Sequence, residues 1–140
     1  MPKETSLGNE ACLRVCIFMN VVNVHVNRAP ITGIIDDIIY IAGKFFVASL
    51  DKASEHNERN ILVMQNKMNE KIVSVQIAGL VARRILSFVE KSTSMKAGER
   101  FGLIRFGSRV DVYMPLHYFT QLKEGDKVTA GESIIASSSA

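Results

Sequence analysis

A mainly β fold is predicted for this chain, a compact β-barrel or sandwich, with an α+β arrangement carrying one minor helix as the variant. Three observations predict it. The apolar residues fall in short runs rich in Val and Ile, the composition of strands. Gly, Pro, Asn and Asp punctuate those runs at turn spacing. A turn pattern, Ala-Gly-Glu followed by an apolar end, occurs twice near the C-terminus. With 140 residues there is enough chain for one core and too little for two ordinary ones, so 1–140 is expected to be a single domain. A content of 47% hydrophobic and 22% charged residues, with three prolines, excludes a disordered or collagen-like chain.

The elements follow in order. Ala11 to Val26 is dense in Val, Ile, Cys, Phe and Met and reads as two strands, near 12–19 and 21–27. In a strand, Cys12 and Cys16 share a face ~13 Å apart, too far to bridge, so they are expected as small core residues. Pro30 and Gly33 mark a boundary, followed by strands at 34–41 and 44–50 around Ala42-Gly43. The polar segment DKASEHNERN is expected as a loop. Ile61 to Gln65 and Lys71 to Ile77 form a predicted hairpin around Asn66 to Glu70. Ala78 to Val89 fits either a helical stripe or a buried strand.

Met95 to Ile104 and Lys123 to Ile135 carry the repeated pattern, in which a glycine with φ > 0 turns the chain between apolar strands. The second copy is similar to the half-motif of biotinyl and lipoyl carrier domains, which suggests hairpin elements of that kind. It has no lysine flanked by Met or Ala at a tip, so a swinging-arm carrier is not expected. The longest apolar candidate for a membrane span, Gly33 to Leu50, is interrupted by Asp36, Asp37 and Lys44. MPKETSLGNE lacks the apolar core of a secretory signal, which makes the cytoplasm the expected compartment. The formal charge of +3 is too small and scattered to argue for nucleic acid and is compatible with an anionic lipid surface.

Two constellations carry candidate chemistry. His25 lies in an apolar strand with Asn20, Asn23, Asn27 and Arg28 close in sequence, and polar groups placed in or beside a core cost free energy unless each is satisfied. A catalytic and a structural role are equally open for it on this ground. His56 reads as a solvated loop residue and His117 as partly buried packing; no histidine or cysteine stands at metal-ligand spacing from His25. The second constellation is Arg105-Phe106-Gly107-Ser108-Arg109-Val110-Asp111. Gly-Ser is ordinarily a turn; the alternative is a serine whose Oγ attacks the glycine carbonyl before it, given a strained backbone and a nearby base.

Taken together, FMNVVNVHVNRAPITG, GKFFVASLDKASEHNERN, QIAGLVARRI and GERFGLIRFGSRVDVYMP resemble the short, type II branch of the phosphatidylserine decarboxylases, from about Ile17 to Gly131. NVHVNRAP and RFGSRVD are the distinguishing segments. The resemblance implies an inactive proenzyme that cuts itself between Gly107 and Ser108, giving a β chain 1–107 and an α chain 108–140. By N-to-O acyl shift, β-elimination and loss of ammonia, Ser108 would become a covalent pyruvoyl group, the one cofactor expected. Its ketone would form a Schiff base with the amine of phosphatidylserine and accept the electrons left when carbon dioxide departs, yielding phosphatidylethanolamine. His25 matches the motif histidine implicated in decarboxylation and is the implied proton donor. Arg28, always protonated, is implied to bind substrate, and Arg105 and Arg109 flank the cut, where serving the phosphodiester and standing outward as solvated arginines are equally open.

The implied setting is peripheral, on the cytoplasmic face of the membrane, with a homo-oligomer as a further expectation. Phe45 and Phe46 beside Lys44 are candidates to dip into the lipid interface. Two departures stand out. Val47 occupies a position where the family often has asparagine. Met1 to Glu10 contains neither the family's Phe-Phe-Arg-Asp-Pro-like segment nor the Ala-Asp-Gly-like turn whose aspartate orients the processing base, so the chain is expected to be shortened. Asp36, Asp37 and Asp111 do not occupy that place. The competing expectation is therefore a truncated, non-catalytic β-barrel remnant or binding module.

Overall fold

A computed structural model describes residues 1–8, 10–18, 25–44, 53–79, 85–104, 108–126 and 135–138. Nine strands are formed among them: β1 (Cys12–Phe18), β2 (His25–Arg28), β3 (Gly33–Ile41), β4 (Arg59–Gln65), β5 (Lys71–Ile77), β6 (Ile85–Ser87), β7 (Ser94–Met95), β8 (Arg100–Ile104) and β9 (Arg109–Pro115). A single helical turn, α1 (Ala53–His56), precedes β4. Two antiparallel sheets result, one of six strands in the order β1-β9-β5-β4-β3-β7 and one of three in the order β2-β8-β6. The mainly β prediction is met, as two open sheets; no barrel closes among the described residues.

The three-stranded sheet packs on one face of the larger one. Ile104 of β8 joins Ile72, Val110, Val112 and Met114, while Phe101 of β8 joins Ile35, Leu62, Met64 and Met95. Ile61, Val63, Val73, Val75 and Ile77 occupy the opposite face of β4 and β5, and Met1, Leu7 and Ala53 cover them. These two central strands are thus buried on both sides, which is why their sequences, RNILVMQ and KIVSVQI, run apolar without strict alternation.

The hairpin predicted around Asn66 to Glu70 is β4–β5, with Gln65 opposite Lys71 and Arg59 opposite Ile77. Asn66 closes it: its Oδ1 accepts from the backbone N–H groups of Met68 and Glu70 at 2.9 and 3.0 Å. The first copy of the repeat behaves as expected, with Gly98 at φ +85° between β7 and β8. In the second, Gly125 takes φ +89°, while Gly131 lies outside the described residues.

The segment 51–60 differs from the expected loop: it contains α1 and the first two residues of β4. Burial explains this, since Ala53 packs under the sheet and Asn57, Arg59 and Asn60 are all buried despite their polarity. Of Ala78 to Val89, residues 85–87 form strand β6; 80–84 lie outside the described residues, as do 21–24 of the predicted second strand and 45–50 with Phe45, Phe46 and Val47.

Candidate active site

Strand pairing relates the described parts of the two sequence constellations through β8. β8 runs from Arg100 to Ile104, and the chain re-enters the described structure at Ser108, directly before β9. His25 opens β2 and is the cross-strand partner of Ile104. Ser108 follows Ile104 by four positions, a reach of at most ~14 Å. Arg105 and Gly107 lie between them, outside the described residues.

Ser108 is 1% exposed and leads into a central strand. The residue after it is fixed on both sides, Arg109 standing opposite Phe18 of β1 and Ile77 of β5. Any chemistry at Ser108 therefore takes place on a rigid element in a water-poor setting, where charge interactions are strengthened.

Arg109 does not face solvent. It is 3% exposed, its Nη2 donates to Asp111 Oδ2 at 3.0 Å, and its Nε stands 2.8 Å from Asp111 Oδ1. The guanidinium carbon is 5.8 Å from the centroid of the Phe18 ring. Asp111, fully buried, is also opposite Cys16. Burial, together with the charge and hydrogen bonding of Asp111, pushes the Cys16 thiol up to about 11. Both cysteines are free thiols on β1, and Cys16 is a protonated packing residue at neutral pH.

Arg28 is at the other end of β2. Opposite Arg100, it donates from Nη1 to the carbonyl of Gly98 at 2.9 Å, so its guanidinium engages the β7–β8 turn while His25 sits at the Ile104 end. Of the residues singled out from sequence, the fold thus pairs His25 with Ile104, which packs against Val110 two residues beyond Ser108, commits Arg109 to Asp111, and directs Arg28 to the β7–β8 turn.

Three polar residues that the sequence did not mark as a unit join the two sheets. Gln76 Nε2–H donates to Asn27 Oδ1 at 2.8 Å and to the Leu86 carbonyl at 3.2 Å, and its Oε1 accepts from Asn60 Nδ2 at 3.0 Å. Their signal in the sequence was weak: an isolated amide in each of three apolar stretches, Val26-Asn27, Asn60-Ile61 and Val75-Gln76-Ile77.

Comparison with known proteins places this geometry. The phosphatidylserine decarboxylase family model matches residues 3–136. The chain belongs to that family. It is 55% identical over 139 residues to the phosphatidylserine decarboxylase proenzyme of Xanthobacter autotrophicus, covering 99% of this chain and 59% of that protein. Identity is 56% over 135 residues to the proenzyme of Azorhizobium caulinodans and 53% over 135 to that of Rickettsia bellii, with 96% of this chain and 58% of each relative covered. The chain thus spans less than two thirds of the length of these decarboxylase proenzymes. No solved structure matches it. Among the described residues, no helix is long and apolar enough to cross a membrane.

Proposed function

We propose that this chain carries the self-cleaving, pyruvoyl-forming centre of a phosphatidylserine decarboxylase, cut between Gly107 and Ser108 into a β chain 1–107 and an α chain 108–140. The observation that carries the reading is that Ser108 is buried at the head of a doubly paired strand whose Val110 packs with Ile104, the cross-strand partner of His25.

In cleavage, Ser108 Oγ attacks the Gly107 carbonyl carbon as the peptide nitrogen leaves it, giving an ester. Loss of the Ser108 α-proton then expels the Gly107 carboxylate and leaves dehydroalanine, whose imine tautomer takes up one water and releases ammonia to give the pyruvoyl group. β9, paired on both sides from Arg109 onward, supports this by holding the Ser108 side of the cut, and the low exposure of Ser108 limits water at the ester. The fit to a pyruvoyl group is steric and electrostatic: an α-keto acyl cap is no larger than the serine it replaces, and the neighbouring cation, Arg109, is already neutralised by Asp111. Once formed, that group supplies a ketone that condenses with an amine and draws off the electrons freed as carbon dioxide leaves. His25 holds the proton delivered to the product carbon. The substrate is phosphatidylserine, met from the cytoplasmic face by a protein peripheral to the membrane.

Intact-mass measurement of freshly purified protein tests the proposal. Two species are expected, Met1–Gly107 and a 108–140 fragment with a blocked, hydrazine-reactive end, and Ser108→Ala should leave one uncut species. Wild-type protein that weighs the same as the translation product and traps no carbonyl reagent overturns it.

A further inference from the structure

We propose that Gln76 is a positioning residue for His25, acting through Asn27; the inference rests on the role for His25 given above. Among the described residues β2 is an edge strand paired with β8, and its ladder shifts register between Asn27 and Arg28. Beyond that shift the chain is held by the Arg28 contact to the Gly98 carbonyl and by the backbone bonds of Ala29 to Glu99 and Gly98. A one-residue slip on the His25 side of the shift would reverse the face that those side chains present. The hydrogen bond that Asn27 accepts from Gln76 of the other sheet opposes this.

The orientation of the relay is determined. A carbonyl can only accept, so the contact to Leu86 O requires the Gln76 nitrogen on that side, and Asn27 must then present its oxygen and Asn60 its nitrogen. Gln76 stands opposite Val110 in β9, two residues beyond Ser108. A single fully buried side chain therefore joins the sheet that holds Ser108 to the strand that holds His25. Position 102 is shaped around it: a Cβ on Gly102, the cross-strand partner of Asn27, would stand 2.7 Å from Gln76 Nε2 and 2.3 Å from the Leu86 carbonyl. Three leucines would fill a similar volume with no buried amide to satisfy, so the relay spends stability and gains a fixed geometry.

The test combines activity with a direct view of His25. The three histidines, His25, His56 and His117, give resolvable ring Cε1–H resonances. In Gln76→Leu, the His25 resonance should shift while those of His56 and His117 hold. Decarboxylation of phosphatidylserine in vesicles should slow about 100-fold in kcat, the scale of an ångström-level misplacement. In a His25→Ala background the same substitution should slow the reaction no further. An unmoved His25 resonance in folded Gln76→Leu protein overturns the proposal, as does a further loss of rate in the His25→Ala background. Should Gln76→Leu not fold, Asn60→Val, which frees only the Gln76 oxygen, should shift the same resonance by less, and an unmoved signal there also overturns it. If wild-type protein neither cuts itself nor decarboxylates, the proposed function fails, while the resonance still reports whether Gln76 positions His25.

Discussion

Asp111 is enclosed between the Cys16 thiol opposite it in β1 and the Arg109 guanidinium two residues earlier on its own strand. An ion pair so deeply buried loses hydration that its mutual attraction recovers only with good geometry, so it gives direction more than stability. Replacing one partner strands the other. Arg109→Met or Asp111→Leu alone is expected to cost about 3–5 kcal/mol in urea denaturation, and the double substitution less than either. A double variant as unstable as the sum of the singles would show that the two residues act independently. The RFGSRVD segment made Ser108 legible as the candidate for the reacting residue, since its neighbours resemble a family pattern. It did not reveal what Arg109 touches, because Arg109 and Asp111 also read as a pair of exposed charges at strand spacing, and only burial of that face excludes it.

At the scale of elements, residues 1–8 act as a cover strip on the outer face of β4 and β5, with Met1 and Leu7 on the apolar cluster and Glu4 paired with Arg59. Burial works to raise the Glu4 carboxyl, but the hydrogen bond and charge of Arg59 outweigh it and hold the group below its ordinary 4.5. A carboxyl lowered in the folded state stabilises the fold above its unfolded value, and that contribution disappears as pH falls through the folded one. Glu4→Gln should therefore lower the urea midpoint at pH 7, by roughly 1 kcal/mol of stability, and the gap to wild type should narrow as pH falls below 4.5 and close once it is below the folded value. A gap that does not narrow as pH falls would assign the loss to packing. The β4–β5 hairpin was readable because two β-rich runs flank a turn-forming Asn. The helical turn Ala53–His56 was not, since four residues give no helical period and its one anchoring side chain, Ala53, is apolar only weakly.

For the whole molecule, the decisive feature is that β9 is internal to the six-stranded sheet, paired over seven residues with β1 and five with β5. A cut after Gly107 frees one end of that strand and removes none of these pairings. The fragments 1–107 and 108–140 are accordingly expected to co-elute in gel filtration at neutral pH and to part only at the urea concentration that unfolds the sheet; separation without denaturant would show that β9 is held by the linkage itself. By itself the sequence determined the strand content, the hairpin and the turn glycine at Gly98, because each is written in local periodicity or turn chemistry, and its contiguous motifs carried the family resemblance. The tertiary structure alone decided that the sheets stack as an open pair, that Arg109 turns inward onto Asp111 while Arg28 reaches the Gly98 carbonyl, and that Gln76 ties β2 to the main sheet. Those outcomes depend on which distant segments share a face and exclude water, and no stretch of neighbouring residues encodes that.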